Sequence, residues 1–473
     1  MASVVVIGAG VAGLAVAARL ADLGHRVTVV ERNAVVGGQV ATHTVDGVRF
    51  DIGPTTFTLP AVFRDLFRKT GRPIEREVEL VPVDPAVRYV LSGGIAVDLP
   101  NASRAGTIQA LDAALGGGAG EQWDNVIQQA AAIWRMARPR IIEVPFSTRD
   151  AARLVLSPAI RRTVTRPGGL RALGDKHLRD HRLQAMLDTY ATSWGADPAS
   201  APAALAMLAY IQQTFGIWTV RGGLHHLVEA LRQRVEERGG EVRVQSTVDS
   251  VVRERGRAAG VRLAGGETLE ADVVVSAVSA EHLYGDLVST HRVGRLRSRL
   301  RGGSSVFTML LALRGQPAGL PQRTVLVADE DGPAITVMAP MSAAGGPVQP
   351  WVLHTDCAPH GTAPGSIDWT EPGLADRHAD RTLALAAARG VDLRPLVIGR
   401  DVRTPLHLEQ STGAPGGRVF GTPWRGTGAI LHRPANRSPV PGLYLVGAGA
   451  HPGPGLPMVG ISAAIVADLV GRA

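Results

Sequence analysis

The sequence predicts an α/β fold whose parallel sheet is assembled from distant parts of the chain, with a large insertion between them. Three observations predict it. The run Val4-Val5-Val6-Ile7-Gly8-Ala9-Gly10-Val11-Ala12-Gly13 is a β-branched strand entering a glycine turn and then a helix. A second apolar strand, Val27-Thr28-Val29-Val30, follows and ends in the acid Glu31. Near the other end, Gly442 to Gly449 repeats the pattern of strand into glycine turn, and Val459 to Ile465 opens a final helix.

The first unit is a mononucleotide-binding βαβ pattern. Gly8 permits the tight turn, Gly10 lets the backbone approach a pyrophosphate, and Gly13 lets helix and strand pack closely. Val11 and Ala12 open the helix, whose free N–H groups and positive dipole end face that pyrophosphate. Glu31 stands 18 residues after Gly13, where a carboxylate can accept hydrogen bonds from a ribose. After Arg32 comes a Gly37-Gly38 turn with Gln39, then a strand and a second turn at Gly53-Pro54-Thr55. Short strand-like pieces fill about 78 to 100, and residues 105 to 215 read as helical with glycine and proline breaks. Arg221-Gly222-Gly223 precedes a helix stopped by Gly239-Gly240. A strand leads from there to Val248, a hairpin runs to Leu263, and Ala271 to Ser276 reads as a buried strand. Four β-rich stretches between 304 and 356 suggest a second sheet.

Composition bounds the rest. A chain of 473 residues, 45% hydrophobic, has room for two or three domains. Its one cysteine, Cys357, excludes an internal disulfide and reads as packing in a reduced compartment. No signal peptide is expected, and no apolar run reaches the roughly 18 residues of a membrane span. The net charge is +8, and only Lys69 and Lys176 among the 50 basic residues are lysines. That bias fits either attraction to an anionic membrane face or the base composition of a GC-rich genome. Nucleic acid is not expected as a partner, because basic residues are not interleaved with aromatics, which make up 4%. His225 and His226 have no ligand-spaced partners and read as packing or capping residues, and no metal is expected.

Glu31-Arg32-Asn33 through Val36-Gly37-Gly38-Gln39 resembles the flavoprotein amine oxidase superfamily. With Phe50-Asp51-Ile52-Gly53-Pro54-Thr55 and the tail Gly447-Ala448-Gly449-Ala450-His451-Pro452-Gly453-Pro454-Gly455-Leu456-Pro457, it is similar to the bacterial phytoene desaturase branch. The resemblance covers both ends and the middle, and is weak over about 60 to 200 and 300 to 400. It implies a discontinuous Rossmann-like FAD domain of the GR2 type with an inserted α+β substrate domain. The FAD domain is expected in three parts, 1–100, 221–290 and 426–473. A helical substrate or membrane-facing region spans 101–220, and a substrate sheet 291–425. By resemblance, FAD is held by Gly8, Gly10, Val11, Ala12, Gly13, Glu31, Arg32, Gly37, Gly38, Gln39, Gly53, Pro54, Thr55 and Val248. Gly447, Gly449, Met458, Val459 and Gly460 complete that set from the tail. Gln39, Ala448 and Ala450 depart from the family pattern, which has arginine at the first and often polar residues at the other two.

The reaction implied is removal of hydride and a proton from adjacent carbons of a long polyene or isoprenoid. A quinone or O2 is the expected electron acceptor. Asp150 and Arg153 match a segment proposed to act near the flavin; on a helix they share a face, which equally describes a surface ion pair. His451 is the third catalytic candidate. Trp218 and Trp424 fit either an apolar tunnel or core packing. A redox-neutral isomerase, an amine oxidase and a prenyl-binding escort protein are the alternatives. The expected location is cytoplasmic, with peripheral membrane contact.

Overall fold

A computed structural model describes the chain except for residues 148–149, 151–153, 155, 165–166, 289–301, 331, 340–346, 427–428 and 430–432. Arg153 therefore lies outside the described residues.

Five strands form the parallel sheet, in the order Leu443–Leu445, Val273–Ser276, Ser3–Ile7, Arg26–Val30 and Glu241–Arg243. All four ladders are parallel. The central strand is apolar on both faces because both are covered, one by helices and the other by a small sheet. Val4 and Val6 pack into the cluster holding the first helix, Val11–Asp22, and the final helix, Leu456–Val470. Val5 and Ile7 pack on the other side, against the three-stranded sheet 248–270. Sequence-distant strands thus meet side by side, as the glycine turns at both ends predict.

The second sheet has seven strands, ordered Val397–Arg403, Ser305–Arg314, Val348–Cys357, Ile335–Met338, Arg323–Leu326, Val87–Leu91 and Ile95–Leu99. Four of these match the expected stretches between 304 and 356. The last two do not belong where the sequence places them. Val87–Leu91 runs parallel to Arg323–Leu326, with Tyr89 opposite Val325. Residues 87–99 therefore join the second sheet rather than the first segment of the FAD domain. The segment 104–215 is mainly helical, and its apolar faces share one core with the Tyr89 side of the second sheet. No helix among the described residues is long and apolar enough to cross a membrane.

Candidate functional site

The glycine turn after the first strand is held from three directions. Gly8, at φ +98°, donates its N–H to the Val30 carbonyl at 2.8 Å. Ala9 donates to Glu31 Oε2 at 2.8 Å. Gly37 donates to the Ala9 carbonyl at 2.9 Å, and Gly10 bridges Gly37. A Cβ on Gly13 would overlap the Gly8 carbonyl oxygen, so the helix can approach the turn only through glycine. Gly10 differs: a Cβ there would meet nothing closer than 3.8 Å, at Gly37 and Gly38. The first helix carries no side-chain cap, and its N-terminal amides remain available. That donor set, with open space over Gly10, fits a pyrophosphate.

Glu31 is 6% exposed, and its other oxygen, Oε1, accepts from Asn33 N at 2.9 Å and Asn33 Nδ2 at 2.8 Å. It braces the loop through both carboxylate oxygens. Ser246 donates to the Glu31 carbonyl at 2.7 Å, which brings the strand containing Val248 alongside. Gln39, where the family pattern has arginine, reaches the Val419 carbonyl at 3.4 Å. Gly53, at φ +81°, packs so closely on the Gln39 carbonyl that a Cβ would overlap it. The Gly53-Pro54-Thr55 turn then meets the second sheet, with Thr55 Oγ1 3.0 Å from Met338 Sδ. A small cleft at this junction is lined by Thr55, Thr219, Met338 and Val352.

The tail closes on the same place. A Cβ at Gly447 would stand 3.0 Å from the Ala12 Cβ, so the second glycine turn abuts the first helix. Gly447 N donates to Ser462 Oγ at 3.2 Å. Asn436 Nδ2 reaches the carbonyls of Leu445 and His451 at 3.1 and 2.9 Å and Ser462 Oγ at 3.0 Å. The final helix also lacks a side-chain cap. Met458 and Val459 point into the core, at 3% and 8% exposure; Val459 N donates to the Gly455 carbonyl at 2.9 Å, so of the two only the Met458 N–H, in the helix's first turn, can be offered to a ligand. Gly460 lets Val62 pack against the helix, where a Cβ would stand 2.6 Å from it.

Sequence reasoning missed Asn436, Ser462 and Arg433. All three are buried polar residues inside an apolar, proline-rich tail, which is the signal that marks them. Arg433 donates to the carbonyls of Thr422, Phe420 and Ala448 and lies 4.9 Å from the Trp424 ring centroid. Burial pushes its pKa down to about 9. Trp424 is 1% exposed and packs on Trp194 with centroids 5.4 Å apart. Trp218 is half-buried and donates to the Phe215 carbonyl at 2.9 Å.

The catalytic candidates occupy specific positions. His451 is 1% exposed, and its Nε2 donates to the Ile141 carbonyl at 2.7 Å. Its ring stacks on Phe146 with centroids 5.3 Å apart. Burial pushes its pKa down to about 4, so the ring is neutral near pH 7. His451 clasps the glycine-rich tail to the segment that leads to Asp150. Asp150 Oδ2 accepts from Ser147 N at 3.1 Å and Ser147 Oγ at 2.6 Å, while Asp150 N donates to Ser147 Oγ at 3.3 Å. That reciprocal pair ties Asp150 to Ser147. His225 Nδ1 lies 3.1 Å from Asp51 Oδ1, a packing and pairing position, and no group of metal-binding residues occurs among the described residues.

Comparison with known proteins agrees with this geometry. Residues 11–356 match the model of the family described as flavin containing amine oxidoreductase. A hydroxyneurosporene desaturase of Rubrivivax gelatinosus is 30% identical, over 98% of this chain and 92% of its own. A lycopene-forming phytoene desaturase of a Paracoccus species is 28% identical, over 98% and 96%. Among solved structures, putrescine oxidase superposes with a TM-score of 0.68 at 15% identity, covering 99% of both chains. Cyclohexylamine oxidase from Brevibacterium oxydans gives 0.65 at 16%, again with 99% of both covered. The solved structures share the fold, and the desaturases share the sequence along nearly its whole length. The chain belongs to the flavin containing amine oxidoreductases, and its cofactor is FAD.

Proposed function

We propose that this protein is an FAD-dependent desaturase that removes hydride and a proton across a carbon–carbon single bond of a carotenoid precursor. The observation that carries the reading is the end-to-end similarity to desaturases named for such substrates, against amine oxidases that match in fold alone. FAD supplies the hydride acceptor. The Gly8–Gly13 turn, the first helix and Gly37-Gly38 hold its phosphates, and Glu31 takes a ribose. Gly447, Gly449 and the first-turn amides of the final helix, up to Met458, face the remainder. The second sheet and the helical core 104–215 supply apolar surface that orients a long hydrocarbon and excludes water.

Incubating the purified holoprotein with phytoene and with hydroxylated neurosporene tests this reading. The expected product is lighter by two hydrogens per step and absorbs at longer wavelength. Unchanged polyenes, with oxidation of added amines, would replace this function by amine oxidation; unchanged mass with altered bond geometry would replace it by isomerisation. A quinone or O2 takes the electrons in this proposal. Peripheral contact with an anionic membrane is also proposed, from the net charge of +8. Co-sedimentation with liposomes should then require anionic lipid and fall as salt rises, and indifference to both would reject it.

A further inference from the structure

Desaturation needs a group that accepts a proton beside the cofactor. The Asp150 carboxylate is engaged by the N–H and hydroxyl of Ser147. The strand Val348–Cys357 offers another acid. Its residues alternate between two faces. Trp351 and Leu353 pack on Trp369 and Leu383 on one side. Val352 packs on Phe50, Leu310 and Met338 on the other, against the hairpin Ala41–Ile52 of the FAD domain. His354 and Asp356 follow Val352 on this second face. His354 Nε2 lies 3.3 Å from the Gly53 carbonyl oxygen. A carbonyl only accepts, so Nε2 carries the hydrogen, and Nδ1 accepts from the Thr308 hydroxyl at 2.8 Å. The strand is thereby pinned to the turn Gly53-Pro54-Thr55, and Asp356 stands one alternation beyond the pin.

Asp356 is half-buried, one alternation along the strand from the residue that touches the Gly53 carbonyl. Among the described residues no hydrogen bond or ion pair engages its carboxylate. Val306 is opposite it on the neighbouring strand. Asp401 and Arg403 come from the strand Val397–Arg403; His43 of the hairpin pairs with Asp401 at 3.0 Å, Arg403 Nε has no hydrogen-bond partner, and His407 of the helix Pro405–Thr412 stands near these three groups. Asp51 pairs with His225. His354 is pushed by burial to a pKa of about 4 and supplies no positive charge near neutrality. Burial pushes the Asp356 carboxyl up to about 7. An unpaired acid in such surroundings destabilises the fold once it ionises, which marks it as a functional group rather than a packing one.

We propose that Asp356 is the proton acceptor of the desaturation, a role that rests on the desaturase reading above. The substrate C–H proton passes to a carboxylate oxygen of Asp356. The electron pair of that bond becomes the second bond of the new alkene as hydride leaves the adjacent carbon, with FAD as the oxidant. The proton then passes from the acid to water.

Asp356→Asn and Asp356→Glu holoproteins test the assignment. The asparagine variant should retain FAD absorbance, lose about 100-fold in kcat and lose the rise of kcat with pH near neutrality. The glutamate variant should keep part of the rate and show a displaced limb. Infrared spectroscopy of the wild-type holoprotein should show a buried carboxylic acid band that titrates near neutrality and is absent in Asp356→Asn. A raised pKa in the folded state means that stability is present at low pH and lost as pH rises toward and through 7. The wild type should therefore fall behind Asp356→Asn in melting temperature between pH 5 and pH 8. A wild type that desaturates, with the pH limb intact in Asp356→Asn and lost in Asp150→Asn, overturns the assignment alone. A wild type that converts no polyene overturns the desaturase reading and this role with it.

Discussion

Replacing Gly10 by valine is expected to leave the chain folded and to strip it of FAD. The backbone at Gly10 is φ −73° and ψ 176°, which any residue adopts. The first atom of a side chain meets only Gly37 and Gly38, at 3.8 Å. The protein therefore has little reason to resist the change. The ligand does, because the side chain would occupy the space over the uncapped helix N-terminus where a pyrophosphate must approach. Affinity for FAD should fall at least about 100-fold, about 2.7 kcal/mol, in equilibrium titration. The far-ultraviolet circular dichroism should match that of the wild type. Gly13→Ala is the contrast. Its Cβ would overlap the Gly8 carbonyl oxygen, so strand and helix must part and the whole unit loses stability. Undiminished FAD binding by Gly10→Val would show that the pyrophosphate lies elsewhere.

Arg234→Met is expected to cost about 3–5 kcal/mol of stability, measured as the shift of the urea unfolding midpoint. Arg234 is 1% exposed on the helix His225–Glu237. Its guanidinium pairs with Glu77 at 2.8 Å and Glu237 at 3.1 Å, and donates to the Phe67 carbonyl at 3.0 Å. It also lies 5.1 Å from the Phe67 ring centroid. Gly71 makes the room, since a Cβ there would stand 2.7 Å from Arg234 Nη1. Methionine keeps much of the apolar stem and removes every donor. Glu77 keeps only the exposed Arg72, at 3.0 Å, and the segment 67–77 loses the hydrogen bonds that seat it on the helix His225–Glu237. A midpoint within error of the wild type would mean that the pair contributes nothing net.

The FAD half of the molecule was legible because its signals are local. Gly13 and Gly37 each answer to a steric demand a few residues away, Gly8 answers to its own positive φ, and Glu31 follows at the spacing a ribose requires. The second sheet was legible strand by strand, from β-branched runs, and not in its membership. Nothing near Val87–Leu91 announces a partner at Arg323–Leu326 more than 230 residues on. His451 shows the same limit. Its position in the tail suggested chemistry, and its bond to Ile141, 310 residues away, gives it a clasping part. Asp150 was readable as one of an i,i+3 pair; its partner Ser147 lay three residues on the other side. Asp356 was overlooked because an acid in an apolar strand acquires meaning only from what faces it. The alternation of His354 and Asp356 after Val352 was the available clue.

The abutment of Gly447 on Ala12 has a consequence for how the protein is made. The first βαβ unit leaves the ribosome early, with its glycine turn intact and one flank of its central strand bare. Val273–Ser276 fills that flank only after more than half the chain is synthesised, and Leu443–Leu445 reaches the sheet edge almost at the end. The nascent chain must carry an open parallel edge through most of its translation. Loading with FAD becomes a late event, and a chain truncated before residue 443 would lack both the edge strand and the turn that completes the cofactor cradle.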